Sequence, residues 1–522
     1  MTTAVLDRAP ASPARRRPGH GHPWLTLLAV ATAMMVVGLD TTVVTIANPD
    51  IAADLHADLA ALQWVTNGYL LALAVSLIPA GRLADRFGRK RIFMIGLLVF
   101  TVASIGVGLS GSIGQLIAWR VLQGLGGAML QPASLAIIRS TFPAERLKMA
   151  IGLFSAVVGL SIASGPVIGG LLVESAGWES VFFINAPVAL VGLVLGARVI
   201  RESKDDQAGR SFDVVGVALL VAAMFGLVWG LIKAQDNGFG EATPLVSFGA
   251  TIVLGALFVL RETRAREPLL PLALFRSFPL SMGMLLRIGA YFAMFGGMFF
   301  LMLFLQNVHG MSPLDAGVRV LPMTGAMLVA SPAAGALTQR FGTRPALVGG
   351  MLAMAGALFS IARFEVDTPY SRMWPWLALL GVGFGLLMVS TTEVILDNVP
   401  ARLAGIAGGL QQTAAQIGGV LGTSVLGVLL ANRVGDTLTG ELTAAGVPAE
   451  VAAGFETAKS YVAQGVAPVQ EGTPPGLIDA ITDGSHAAFM SGFAHSLVVA
   501  SIVAAAGGLV ALFAGRDRGR GA

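Results

Sequence analysis

The chain has 522 residues, 55% of them hydrophobic and only 12% charged, against roughly 25% charged in an average soluble domain, so a water-facing globular surface is excluded. The net charge of +4 is spread over short segments between apolar runs rather than gathered in one patch, which argues against a nucleic-acid partner. Cysteine is absent, excluding disulfides and thiolate metal sites, and no metal or other cofactor is expected.

Residues 1–23 are rich in Pro and Arg and read as a disordered cytoplasmic arm. The apolar run that follows, 24–46, is too long for a cleaved signal peptide and reads as the first membrane span. Further spans are expected near 62–81, 92–110, 114–138, 150–173 and 181–200, closing an N-terminal six-helix bundle over 24–200. A polar segment opens a linker, 201–278, that carries two extra transmembrane helices near 214–233 and 244–261. The C-terminal six-helix bundle, 279–522, has spans near 279–306, 316–338, 346–362, 374–396, 405–431 and 486–513. Its stretch from about 432 to 485 is too polar to span and is expected as an extracellular loop. These are continuous apolar blocks, not the alternating ten-residue segments of a barrel, so the fold class is all-α transmembrane with about fourteen spans.

Placing both termini in the cytoplasm puts most of the 34 Lys and Arg in cytoplasmic segments, as the bias of positive charge in short loops requires. Gly81, Arg86, Phe87 and Gly88 recur 254 positions later as Gly335, Arg340, Phe341 and Gly342, at equivalent ends of the second and tenth spans. The recurrence predicts two related bundles with pseudo-twofold symmetry around a central path, a transporter architecture.

Four motifs are specific. The run Gly81-Arg82-Leu83-Ala84-Asp85-Arg86-Phe87-Gly88-Arg89-Lys90-Arg91 resembles the cytoplasmic loop signature of the major facilitator superfamily, and Leu39-Asp40-Thr41-Thr42-Val43-Val44 resembles the first-span motif of its fourteen-span drug:proton antiporters. Arg120-Val121-Leu122-Gln123-Gly124 is similar to the superfamily's buried-arginine motif, and Gly165-Pro166-Val167-Ile168-Gly169-Gly170 to the motif associated with antiporters. The resemblance implies a secondary transporter, not an enzyme, with no catalytic residues. It would export an amphipathic drug, antibiotic or natural product as a monomer, by alternating access coupled to protons.

The residues carry physical readings of their own. Asp40 lies about 9 Å below the expected outer end of the first span and Arg120 at a similar depth, so the two can meet. An ionised group near the bilayer centre costs about 2.5–3.5 kcal/mol even on lenient scales, so both should face each other or a wet cavity. Asp40 and Arg120 are the expected proton-coupling groups, the alternative being a permanent structural ion pair, and Glu393 is either a second proton or substrate site or a side chain that snorkels to water. Gly81, Arg82, Asp85, Arg86, Gly88 and Arg89 form a candidate latch between bundles; Gln339 replaces Asp85 in the second copy. Gly165, Pro166, Gly169 and Gly170 give a close-packed, bendable seam, with ordinary helix packing as the alternative.

Gln123 and Gln131 on the polar stripe of span four, Tyr291 and Phe295 in span nine and Gln412 and Gln416 in span thirteen are the expected substrate path, although lipid-facing aromatics look the same in sequence. Arg287 is expected at an interface. Members of the family that handle multiply charged cations carry carboxylates in span thirteen, so the glutamines here imply a neutral or singly charged cargo. No nucleotide-binding signature is present, leaving protons as the expected driver. A nutrient facilitator or symporter is the alternative function, and a membrane-embedded transferase a weaker one, since the long outer loop lacks a compact acidic or His cluster. The Ala-, Gly- and Arg-rich composition points to the inner membrane of a high-GC bacterium.

Overall fold

The computed structural model describes residues 22–204, 213–237, 240–265, 272–399, 404–469 and 473–513. The expected arm over 1–23 lies outside them but for its last two positions. Fourteen membrane-length helices follow in chain order: α1 (Pro23–Asp54), α2 (Leu59–Phe87), α3 (Arg89–Gly108), α4 (Ile113–Thr141), α5 (Ala144–Ala176), α6 (Ser180–Val199), α7 (Val214–Asn237), α8 (Ala242–Arg264), α9 (Phe278–Val308), α10 (Pro313–Phe341), α11 (Thr343–Ile361), α12 (Tyr370–Asp397), α13 (Ala404–Ala444) and α14 (Pro475–Ala511). With an even number of spans both termini lie on one face, called here the terminal face; the opposite one is the far face.

Apolar length sets where these helices exist, but several run beyond the expected spans. The clearest case is the segment near 432–485, where α13 continues to Ala444 and α14 starts at Pro475. A helix leaving the bilayer needs only one apolar stripe, and here Val434, Leu438 and Leu442 pack with Ile481 as a buried coiled extension. Between the two, among the described residues, lie short helical turns, Ala449–Gly454, Phe455–Ala458 and Lys459–Val462.

Helices α1–α6 and α9–α14 form the two bundles. Their seams are made by glycines that let backbones touch: a Cβ at Gly126 of α4 would sit 2.7 Å from the Phe100 nitrogen of α3, and one at Gly422 of α13 would collide with the Phe292 carbonyl of α9. Helix α7 covers the join between α2 and α13, packing Leu231 and Ala234 on Val428 and stacking Phe225 and Trp229 near Trp64. Helix α8 lies outside it and turns Val246, Ile252 and Val253 outward.

The buried core is divided unevenly. In the far-face half, Leu39, Val43, Ile46, Ile51 and Leu62 of the first bundle share one apolar cluster with Met298, Phe299 and Val308 of the second. Toward the terminal face a second cluster, including Leu27, Ala84, Phe93 and Ile137, belongs to the first bundle but takes in Val420 of α13, and Leu280, Ile395 and Leu410 of the second bundle form a third, with Ile78 of α2 packed against it. The bundles are therefore joined most broadly at the far face, while toward the terminal face they touch along α2 and α13, where the Thr413 hydroxyl donates to the Ala74 carbonyl at 3.3 Å and a Cβ at Gly409 would lie 3.5 Å from Ile78.

The repeat seen in sequence is also a repeat of geometry. Gly88 and Gly342 cap α2 and α10 with φ of 117° and 81°, a region that favours glycine, and Arg86 and Arg340 each lie 5.2 Å over the ring of the following Phe.

Because a methyl group at Gly422 has only the Phe292 backbone to displace, Gly422→Ala should destabilise the protein by about 1–3 kcal/mol through overpacking. Gly356 has open space around its Cα, so Gly356→Ala should melt with the parent; thermal melts of detergent-solubilised protein compare the two.

Candidate functional site

Asp40 stands near the middle of the 32-residue α1, and α4 brings Arg120 directly to it. Arg120 Nη1 donates to Asp40 Oδ2 at 2.6 Å, with both side chains 1% exposed. The other carboxylate oxygen accepts from Gln123 Nε2 at 2.7 Å and from Asn185 Nδ2 of α6 at 3.3 Å. The guanidinium is held further by Gln123 Oε1 at 2.7 Å, by the Val65 carbonyl of α2 at 3.2 Å and by the Tyr69 ring, 4.2 Å beneath it. Asn185 also donates to Ser104 of α3, which donates to the Phe182 carbonyl. Five helices thus converge on one charge pair. A pair taken out of water has to satisfy its remaining lone pairs and protons locally, and that is the work of these neutral partners.

Gln123, expected on the substrate path, is instead fully buried and committed to this network. Asn185, Ser104 and Tyr69 escaped the sequence reading, since a single Asn or Ser in an apolar helix carries no periodic signal. The one sequence clue to the first two is that each is a polar side chain set inside an otherwise apolar span.

Two residues past Asp40, Thr42 links α1 to the glycine-proline motif of α5. Pro166 has no N–H to offer the Ile162 carbonyl four residues earlier; the Thr42 hydroxyl reaches that carbonyl at 3.3 Å, sharing its one proton with the Leu39 carbonyl of α1 at 3.2 Å. Helix α5 bends by 41° here, between Glu145–Ile162 and Ser164–Ala176. Gly165 and Gly169 face α1, where a Cβ at Gly165 would collide with the Thr42 hydroxyl and one at Gly169 would come within 3.2 Å of Val43. Gly170 faces the other bundle: a Cβ there would lie 2.5 Å from the Pro313 carbonyl of α10, and Gly317 of α10 abuts Pro166 in return.

Further polar contacts cross between bundles. Gln306, in a widened last turn of α9, donates to the Ile46 carbonyl at 3.1 Å, and Ser312 donates to Glu174 at 2.9 Å. Asn67 of α2 exchanges hydrogen bonds with Ser424 and Thr423 of α13.

At the terminal face, Asp85 accepts from Arg89 Nε and Nη2 at 3.0 and 2.8 Å. Arg82 and Arg86 sit on the last turns of α2. Glu202, after α6, accepts from the backbone nitrogens of Lys90 and Arg91 at the start of α3, where a carboxylate meets the positive end of the helix dipole. Gly81 packs 3.5 Å from Pro132 of α4, measured from a Cβ built on it.

The aromatic face of α9 turns into the protein. Tyr291 and Phe295 stack at 5.6 Å with planes 8° apart, and Phe384 of α12 meets Tyr291 edge-on at 5.1 Å. Lipid-facing aromatics are thereby ruled out for these two. Gln131, Gln412, Gln416 and Glu393 make no side-chain hydrogen bond or ion pair with the described residues; Gln416 is buried and the other three half-buried. Arg287 departs from expectation: it is 3% exposed, because α12 and α13 fold over it and supply Thr391, Thr392 and Gln411 as neighbours.

Comparison with known proteins adds an independent line. The profile described as Major Facilitator Superfamily matches residues 30–423. The chain is 50% identical over 496 residues to the tetracenomycin C resistance and export protein of Streptomyces glaucescens, covering 94% of this chain and 92% of that one. It is 31% identical over 488 residues to the multidrug efflux pump LfrA of Mycolicibacterium smegmatis, covering 93% and 95%. Among solved structures, a bacterial homolog of the human lysosomal transporter Spinster, inward-facing and unoccupied, superposes with a TM-score of 0.63 at 20% identity over 94% of this chain and 98% of that one. A D-xylose–proton symporter gives 0.56 at 15% identity, over 78% and 90%.

Truncating one member of the buried pair leaves the other charge uncompensated, at a cost of roughly 3–5 kcal/mol. Arg120→Leu should therefore lower the melting temperature sharply, and adding Asp40→Leu should recover a large part of the loss. A double-mutant cycle on solubilised protein measures that coupling; additive losses would show that the two charges do not depend on each other.

Proposed function

Because the chain belongs to the Major Facilitator Superfamily and is a multi-pass membrane transporter rather than an enzyme, we propose that it exports an amphipathic antibiotic or drug-like compound in exchange for protons, with Asp40 as the proton carrier. The observation that carries the coupling is the burial of Asp40 against a single guanidinium, with neutral groups as its other partners among the described residues. The export relatives support the direction and the kind of cargo.

Protonation of Asp40 removes one half of the ion pair. Arg120 then keeps the Val65 carbonyl, Gln123 and the Tyr69 ring, enough to hold a guanidinium in place while α1 is released. The same helix carries Thr42, bonded at the bend of α5, and the Ile46 carbonyl, bonded to Gln306 of the other bundle. A proton at Asp40 thus acts on the element that holds both the hinge and the far-face contact, which is how a local charge change biases a two-state rearrangement. One proton moving down 100 mV supplies about 2.3 kcal/mol, worth roughly fifty-fold accumulation.

On this reading the termini are cytoplasmic, as the Lys and Arg distribution supports. In the state described here the outer side is then closed, by Gln306, Ser312 and Gly170. The half-buried amides of Gln131 and Gln412, the buried amide of Gln416 and the Tyr291–Phe295 stack line the cargo's route, Glu393 stands near its cytoplasmic mouth, and the Asp85 loop latches the bundles in the opposite state. The protein works as a monomer in the bacterial cell membrane.

In everted vesicles, Asp40→Asn should abolish cargo accumulation driven by a pH gradient while leaving the protein's abundance in the membrane unchanged; undiminished pumping would refute the carrier role. Orientation is tested separately, since the chain has no cysteine of its own. A membrane-impermeant maleimide should label Thr443→Cys in intact cells and Lys204→Cys only after permeabilisation, and the reverse pattern would invert the topology.

A further inference from the structure

The two bundles each bury an arginine, but only one of the two has a counter-charge. Arg120 has Asp40. Arg287, on α9 and 3% exposed, pairs with no carboxylate among the described residues. Its Nη1 reaches the Thr391 and Thr392 hydroxyls at 3.2 and 3.3 Å. With the Gln411 amide turned so that its oxygen faces the guanidinium, Gln411 accepts from Nη1 at 3.0 Å and Nη2 at 3.3 Å. Nε, also buried, has no hydrogen-bond partner. Guanidinium remains charged in proteins, and a desolvated cation with neutral acceptors alone and a donor left over is an expensive arrangement to keep.

The surroundings indicate what would complete it. Thr392 and Gln411, which screen Arg287, are themselves only half-buried. Arg287, Tyr291 and Phe295 follow at intervals of four and share one face of α9. The guanidinium lies 5.2 Å from the Tyr291 ring, and that ring stacks on Phe295. From one end to the other this is a fork of donors followed by parallel aromatic planes. The fork matches a carboxylate or phenolate, and the planes match flat rings.

We propose that Arg287, with Thr391, Thr392 and Gln411, forms an anion subsite for the acidic group of a flat aromatic cargo, whose rings lie along Tyr291 and Phe295. The assignment rests on the export reading for its source of ligand and narrows the cargo to amphipathic aromatic acids. Binding displaces the Gln411 amide from the guanidinium and supplies the missing negative charge, so the cargo's acid group and Asp40 play corresponding parts in the two bundles.

The test uses 1-pyrenebutyrate and its uncharged methyl ester, titrated calorimetrically into full-length protein in nanodiscs of zwitterionic lipid. The parent protein should bind the acid at least about ten-fold more tightly than the ester, the scale of one charge-assisted hydrogen-bonded contact. Arg287→Gln should bring the acid down to the level of the ester and leave the ester unchanged, while Arg287→Lys keeps a reduced preference for the acid. Gln411→Glu guards against a variant that fails to fold: it places a resident carboxylate on the guanidinium, so it should retain ester binding and lose the preference. Equal binding of acid and ester by the parent, no binding of the acid, or a preference that survives in both Arg287→Gln and Gln411→Glu overturns the proposal. Adding phosphatidylglycerol to the nanodiscs should leave the preference intact; its loss there would assign the site to a lipid headgroup and overturn the cargo assignment. Accumulation of the ester in everted vesicles is measured alongside. If the ester is pumped but the acid is not preferred, the subsite fails alone, and if no cargo is pumped the export reading fails with its own measurement.

Discussion

A carboxylate and a guanidinium sit 2.6 Å apart in the buried interior of the first bundle, and the surrounding structure is arranged around the cost of keeping them there. Coulombic attraction alone rarely repays the desolvation of two charges, so each remaining lone pair and proton needs a partner. Gln123 bridges the two groups, Asn185 serves the carboxylate, and the Val65 carbonyl and the Tyr69 ring serve the guanidinium. The pair and its partners come from α1, α2, α4 and α6, with α3 added through Ser104. The first bundle is consequently tied together at its centre by polar contacts as well as by close helix packing.

The same constraint gives α1 its importance. Within seven residues of one helix lie the buried carboxylate, the hydroxyl that reaches the carbonyl freed by Pro166, and the carbonyl that accepts from Gln306 across the bundle interface. Helix α5, bent by 41°, is packed between α1 on one side and α10 on the other. A change of charge at Asp40 therefore has a short mechanical route to the hinge and to the far-face contacts. The second bundle has no such pair among the described residues; its buried Arg287 is surrounded by hydroxyls and an amide. Repeated bundles with unequal charge allow one half to carry the proton and the other to meet the cargo, which is the division of labour proposed here.

Internal repetition was visible in four residues per copy, and the reason it is visible lies in the backbone. Gly88 and Gly342 occupy positive φ at equivalent helix ends, where a side chain is strained, and each preceding Arg covers the adjoining Phe ring. Asp85 has no counterpart in the second copy, where Gln339 stands. Geometry was retained in both loops while the ion pair with Arg89 belongs to one.

Apolar length by itself determined that the chain crosses the bilayer in about fourteen helices grouped six, two and six, because hydrocarbon thickness translates directly into a count of apolar residues. Sequence also marked Asp40, Arg120 and the glycine-proline run, since ions and helix breakers are conspicuous in an apolar background. It misjudged what happens where polarity ceases to report position: α13 and α14 continue into the segment expected as a loop, because a helix outside lipid can be held by a single stripe such as Val434, Leu438 and Leu442. Only the tertiary structure decided that Gln123 is bonded to both members of the ion pair, that Asn185 and Ser104 complete it, that Tyr291 and Phe295 face inward, and that Arg287 is buried without an acid among the described residues. Each of these depends on which helix lies against which, and in a uniformly apolar helix the sequence carries no periodic contrast from which that orientation can be read.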